Sequence, residues 1–360
     1  MMKGIGKIRS KGEWGIPEGL EAAGAPCYRA RPENAPRERG IALIMVLWVM
    51  AIIIVVTFSL SLTVRTELFS INAFKEEIHN KLLAEAGLQR GIMEIHYRRL
   101  MGNKVAAADE GRPCRADGTL YKGRIGEDDY AFSLTDESGK ININLLSDST
   151  GVILNNLLVG QGVDKTLADT IVDSLLDWKD ADDLQRLHGA ESDYYQRLPR
   201  PYRAKNAGLD SPEELLFVKG MTTDILYGDE RKPGLIRFIT VSSGTNRINI
   251  NTAAADVLRA LPFMSEDSVK KIMDYRLADN SPKDGSALPS LLGSQFAPVA
   301  QFVTTADSGV YTVEATGYRK ENKKIRYGLK AVVSLAKGDR HEISYYQSPS
   351  RMRPSLENEL

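Results

Sequence analysis

Between Arg39 and Arg65 the chain runs without a single charged side chain, and the apolar stretch Ile41–Val64 is about 24 residues long. At about 1.5 Å per helical residue it reaches about 36 Å, enough to cross a hydrocarbon layer of roughly 30 Å with some tilt. A soluble helix of that length needs a polar face, and a secretory signal has an apolar core of only about 7–15 residues. The stretch therefore predicts a membrane-spanning helix at 41–64. Arg29, Arg31, Arg37 and Arg39 precede it, against Glu33 and Glu38. The positive-inside rule then puts the N-terminus in the cytoplasm and the bulk of the chain on the far side, a single-pass protein.

The helical period continues past the span. Leu68, Ile71, Phe74, Ile78 and Leu82 recur at steps of three and four, with Glu67, Lys75, Glu76, Glu77 and Lys81 between them. This predicts an amphipathic continuation over 65–100, weakened at Gly87 and Gly91, and a rod on the order of 90 Å. Its outer half needs a partner along the apolar stripe. Residues 1–40 hold scattered Gly, Pro and Arg without periodicity and form a leader.

Composition narrows the function. Lysine plus arginine and aspartate plus glutamate number 47 each, so no net charge steers the chain to nucleic acid. If the chain is cut after Gly40, Cys27 leaves with the leader and Cys114 has no disulfide partner. His79, His96, His188 and His341 have no metal-ligand spacing, and neither Gly-x-Ser-x-Gly nor a P-loop is present. An acidic pair for glycoside hydrolysis could be drawn from the acidic cluster below, but a membrane rod is a poor scaffold for it. No enzyme is expected.

Beyond the rod, 101–119 is a polar linker, and the first strands of a sheet follow within 101–144. "VYTVEATGYRKENKKIRYGLKAVVSLAKGDRHEISYYQ" (310–347) alternates like a three-stranded meander, and 348–360 is a disordered tail. Between these β-rich ends lies a helical block containing a repeat. "ININ" occurs at Ile141–Asn144 and Ile248–Asn251, each time leading into a helical hairpin. The first hairpin belongs to an inserted α-helical domain at 145–237, and the second begins the segment 238–347. Ser211, Pro212 and Glu214 form a capping-box signature for a further helix.

Such hairpins are similar to helix-hairpin-helix modules, in which a Gly-x-Gly turn offers amides to a phosphate. Gly160-Gln161-Gly162 supplies one such turn, but Phe263-Met264 stands at the second. From Asp164 to Asp193 nine acidic residues face three basic ones. No nucleic-acid partner is expected, and a membrane-anchored periplasmic DNA receptor is the alternative.

"DWKDADDLQRLHGAESDYY" (177–195) is the densest chemical feature. Asp173 and Asp177 share a helical face, and Asp180, Asp182, Asp183, Glu191 and Asp193 follow. Like charges this close repel unless a cation bridges them, and an all-oxygen set suits Ca2+. Leu184 and Gln185 occupy positions where an EF-hand needs a ligand and a glycine, so this is no EF-hand. A solvated loop paired to Arg186, Arg197 or Arg203 fits the same residues.

A charged leader ending in glycine before a long apolar helix resembles the type IV prepilin and pseudopilin class. The resemblance implies cleavage between Gly40 and Ile41 by a membrane prepilin peptidase, then N-methylation of Ile41. Forty residues is long for such a leader. Most of that class carries glutamate at the fifth position after the cut, where this chain has Met45. The absent acid, together with "DWKDADD", "GAESDYY", "PYRAKN" and "SPEELLFVKGM", resembles the general secretion pathway protein K family, minor pseudopilins of type II secretion. That resemblance implies an α+β, pilin-like fold: a long N-terminal helix on an antiparallel sheet, with an inserted α-helical domain of helix-hairpin-helix-like units. It also implies assembly at the tip of a periplasmic pseudopilus. The partners would be other minor pseudopilins, the major pseudopilin and the inner-membrane secretion platform. Calcium would be held by Asp180, Asp182, Asp183 and Glu191.

Overall fold

The computed structural model describes residues 39–101, 114–229, 232–277, 285–322, 325–335 and 340–350. Most of the expected leader, the linker residues 102–113 and the tail from 351 lie outside them. The chain divides into two compact units, Met1–Leu68 and Phe69–Leu360.

Helix α1 (Arg39–Met101) runs through both. In the first unit every residue from Ile41 to Leu68 is exposed, and among the described residues this is the one helix long and apolar enough to cross a membrane. Ile52 to Thr57 are six β-branched residues in a row, a poor helix sequence in water. In hydrocarbon the backbone has no other partner, so the helix is enforced. The hydroxyls of Thr57 and Thr63 donate back to the carbonyls of Ile53 and Ser59 at 2.7 and 3.1 Å, so both threonines satisfy their donors within the helix.

In the second unit α1 turns a different face inward from the one its apolar spacing suggests. Ile71, Phe74, Ile78 and Leu82 are exposed, whereas Asn80, Leu83, Ala84, Leu88, Ile92 and Ile95 are buried. Small residues decide the choice. Gly91 lies so close to Val313 that a Cβ would come within 2.5 Å of its Cγ1, and Gly87 sits against the Ala131 carbonyl and the Ala315 methyl. These glycines do not weaken the helix; they are where the sheet approaches it.

That sheet is antiparallel, with strands β1 (Asp117–Ile125), β2 (Asp128–Asp136), β7 (Val310–Tyr318), β8 (Arg326–Leu335) and β9 (His341–Gln347) side by side. Alternation sorts its two faces. Leu134, Val313, Ala315, Leu329, Ala331 and Val333 join Ala84, Leu88, Ile92 and Ile95 in one core. The C-terminal meander forms as expected from its alternation. Residues 348–350, expected in the disordered tail, continue beside β8, where the Ser350 amide donates to the Gly328 carbonyl at 2.8 Å.

Neighbouring strands β2 and β7 are separated in sequence by 137–309, so the whole of that segment is the insertion. It includes the second hairpin, grouped in the sequence reading with the C-terminal strands. Asp136, fully buried, ties the root: it accepts from the Ser138 and Ser308 amides at 3.1 and 3.2 Å and from Asn249 Nδ2 at 3.0 Å. Burial, then the nearby Asp307, pushes its carboxyl above the usual range.

Both ININ segments build the same device. In the first, β3 (Ile141–Asn142) pairs in parallel with β4 (Ile239–Thr240); in the second, β5 (Ile248–Asn249) pairs in parallel with β6 (Val303–Thr304). The ladder opens identically, with Ile141 N donating to Phe238 O and Ile248 N to Phe302 O, each at 2.8 Å. Asn142 and Asn249 each accept from the amide two residues on, at 3.0 Å. Each unit then holds a hairpin: α2 (Gly151–Gly160) with α3 (Lys165–Lys179), and α6 (Ala255–Ala260) with α7 (Glu266–Leu277). Short helices α4 (Ser192–Gln196) and α5 (Thr223–Tyr227) complete the first repeat. The hairpins share one apolar core that includes Leu154, Leu158, Ile171, Leu175, Val257, Leu258 and Ile272. The turns match too, for Gly162 at φ +88° is answered by Phe263 at φ +66°. The phenylalanine holds a left-handed conformation that costs an L-residue roughly 1–2 kcal/mol.

The expected capping box takes another form. Pro212–Phe217 is a 3-10 helix, Ser211 makes no side-chain cap, and Glu214 accepts instead from the Asp210 amide at 3.0 Å.

Candidate functional site

Two places carry the residues singled out from sequence. At the start of α1, Gly40 and Ile41 are both helical, and Ile41 and Met45 lie on its exposed surface. No carboxylate interrupts the helix until Glu67.

The other place is the end of α3 and the loop after it. Asp164 caps α3 by accepting from the amides of Thr166 and Leu167 at 2.9 and 3.3 Å. Apolar residues at 168, 171, 172, 175 and 176 bury one face of α3 and carry Asp177 into the interior, where it is fully buried. Arg186 folds back over it. Its Nη1 donates to Asp177 at 2.7 Å and Asp180 at 2.6 Å, and its Nε to Asp148 at 2.9 Å. These carboxylates hold the guanidinium well above its ordinary value against the cost of burial.

Polar side chains pin the loop. Gln185 and Lys219 both donate to the Gly189 carbonyl at 2.9 Å, while Asp173 accepts from the His188 amide at 3.1 Å. Below it, Trp178 and Tyr195 meet edge to face at 5.1 Å and Tyr195 stacks on Tyr202 at 5.2 Å. Gly189 is obligatory, because a Cβ there would collide with Asp177 Oδ2. A Gly189→Ala variant should lose roughly 1–3 kcal/mol through forced displacement of that carboxylate, read as a lower Tm in thermal unfolding.

Of the four expected calcium ligands, the structure brings two to the buried side. Glu191 is 4% exposed, and both of its carboxylate oxygens lack a partner, as does the buried Oδ1 of Asp180. Burial, then Asp177 and Asp180, pushes the Glu191 carboxyl up to about 7. Asp182 and Asp183 lie at the exposed end, and Asp182 spends an oxygen on the Leu184 amide at 2.9 Å. Asp177 was legible in sequence only as the neighbour of Asp173 four residues back, yet it is fully buried and paired with Arg186.

Among the described residues no three metal-binding side chains converge, because Arg186 serves as the cation between Asp177 and Asp180. It neutralises them without reaching Glu191. Three orphaned oxygens remain beside an already acidic set, and an unpaired buried carboxylate costs several kcal/mol.

Residues 139–228, which span the first repeat and this loop, match the family model for type II secretion system protein K. The likeness to that family is carried by this domain. Relatives include the type II secretion system protein K of Pectobacterium carotovorum subsp. carotovorum, 28% identical over 52% of this chain and 60% of its own. That of Klebsiella pneumoniae is 25% identical over 61% of this chain and 68% of its own. An Escherichia coli (strain K12) protein assigned to the same system is 26% identical over 52% of this chain and 59% of its own. The chain thus spans about three fifths of the length of the Pectobacterium and strain K12 relatives. A chain of the crystallised GspK-GspI-GspJ complex from the enterotoxigenic Escherichia coli type 2 secretion system superposes with a TM-score of 0.54. It is 16% identical, covering 79% of this chain and all of that one, a likeness of fold. The α+β, pilin-like arrangement with an inserted helical region is shared with that structure.

Proposed function

We propose that this protein is a minor pseudopilin of type II secretion that starts or caps a periplasmic pseudopilus, working by assembly and not by catalysis. One observation carries the reading: a helix exposed along its whole first half bears Met45 where a polymerising subunit would need an acid. A carboxylate in hydrocarbon costs several kcal/mol unless a neighbour's amine meets it. A subunit with nothing above it has no use for one.

On this reading Ile41–Val64 spans the inner membrane with the globular part in the periplasm. A prepilin peptidase cuts between Gly40 and Ile41, and Ile41 is methylated. The exposed stripe Ile71, Phe74, Ile78 and Leu82 supports the same role, since apolar residues that its own sheet leaves bare suit the helices of other pseudopilins. GspI and GspJ, which accompany GspK in the superposed complex, indicate the kind of minor pseudopilin partner, and the secretion platform would hold the base. Asp180 and Glu191, with Asp177 beside them and Asp182 and Asp183 at the rim, would hold calcium. The ion would supply the charge that Glu191 lacks.

Intact-mass measurement of the membrane-extracted protein should give a chain beginning at methylated Ile41. Recovery with residues 1–40 attached, in cells with active peptidase, would overturn the processing. Met45→Leu should assemble as the parent does, and Met45→Glu should reduce secretion by at least about tenfold if an unpaired acid costs more than about 1.4 kcal/mol. A Met45→Glu protein that assembles better would rule out the tip position.

A further inference from the structure

Two of the four histidines that sequence spacing leaves unrelated meet in the fold. His96 lies near the end of α1 and His341 opens β9, 245 residues further on, yet His96 Nε2 and His341 Nδ1 are 3.2 Å apart. Rigid elements hold both. Ile92 and Ile95 are buried beside His96 and fix that turn of α1 on the sheet. His341 pairs with Leu335 of β8, whose amide donates to the Gly309 carbonyl at 2.9 Å. The rings meet edge to face, with centroids 5.3 Å apart at 68°. Neither ring makes another hydrogen bond or an ion pair among the described residues. His341 is exposed and His96 half-buried, so the pair is open to water and to ions.

Between two neutral imidazoles one nitrogen must donate and the other accept, a modest contact at a surface. A metal ion takes the lone pair of both. Zinc binds imidazole nitrogen at roughly 2.0–2.1 Å, so two ligands of one tetrahedral ion stand about 3.3–3.4 Å apart. The observed 3.2 Å is within about 0.2 Å of that separation. Rings turned well out of a common plane do not collide when both tip toward one ion.

We propose that His96 and His341 form a binding site for a transition-metal dication of the zinc kind, with water in its remaining positions. Imidazole suits zinc, copper and nickel, whereas calcium and magnesium prefer oxygens such as those of the acidic loop. Bound between the rings, the ion ties the end of α1 to the edge strand β9.

The test is thermal unfolding of the untagged chain in detergent at roughly pH 7.5, where imidazole is neutral, titrated with zinc chloride and separately with magnesium chloride. Zinc should raise Tm saturably, by on the order of 5 °C at about 100 times its dissociation constant. His96→Gln and His341→Gln should each weaken that response at least about tenfold, because a single imidazole remains. His188→Gln, whose ring lies on Asp173 in the acidic loop, should keep it. Any response to magnesium should be the same in all three variants as in the parent. No rise with zinc, a rise that magnesium equals, or a zinc response that survives His96→Gln or His341→Gln overturns the proposal and leaves a hydrogen-bonded pair. Loss of the response in His188→Gln would overturn it as well, by moving the zinc to the acidic loop.

Discussion

A Gly317→Val variant is expected to lose the docking of α1 on the sheet. Gly317 of β7 lies directly on the helix backbone. A Cβ there would enter the Asn80 carbonyl oxygen and come within 2.5 Å of the Ala84 amide nitrogen. A side chain could rotate away; a helix backbone cannot without moving the whole interface. The cost should exceed about 3 kcal/mol, above the usual range for overpacking, and lower Tm by on the order of 10 °C. Limited proteolysis should open the helix near residues 80–95, where the parent resists. Gly160→Ala is the control: it has open space around it and should stay within about 1 kcal/mol of the parent. A valine variant that melts with the parent would show that the helix is held elsewhere.

Glu191 should make stability depend on pH and calcium together. Its carboxyl sits near 7 in the folded chain against an ordinary value of 4.5. Below 4.5 it is protonated in both states and its contribution is intact. As pH climbs from 4.5 toward 7 the unfolded chain ionises first, so stability drains over that window and the loss is complete above it. Without divalent cations, the Tm advantage of Glu191→Gln over the parent should therefore widen from pH 4.5 to 7. Calcium should reverse the order. At about 100 times its dissociation constant an ion that binds only the folded state adds about 2.7 kcal/mol. The parent should gain on the order of 5 °C, the glutamine variant little, and the gain should shrink as protons compete below pH 7. Identical melting of the parent in EGTA and in calcium would remove the ion from this loop. Arg186 would then remain as the ion-pair partner of Asp177 and Asp180.

Particular residues show how far the sequence reaches. The 41–64 span, the meander at 310–347 and the ININ duplication follow from patterns within a few neighbouring residues. Apolar run length, alternation of faces and a repeated tetrapeptide are local facts, and the structure carries all three. The sequence also placed the acidic loop, because nine carboxylates in thirty residues must find cations somewhere. Which oxygens remain bare was beyond it. Asp177 and Glu191 are fourteen residues apart and meet only because Arg186, Gln185 and Lys219 fold the loop back.

The facing of α1 shows the same division. Two apolar stripes satisfy the helical period between Leu68 and Ile95, so spacing cannot choose between them. Gly87, Gly91 and Gly317 choose, because helix and sheet approach this closely only where one of the two facing residues lacks a Cβ. In the same way, only strand pairing reveals that the insertion runs from 137 to 309. By itself the sequence determined what must leave water and with what period. The tertiary structure alone decided which surfaces meet, since contact depends on groups distant in the chain, and with it which apolar stripe and which buried charges were left without a partner.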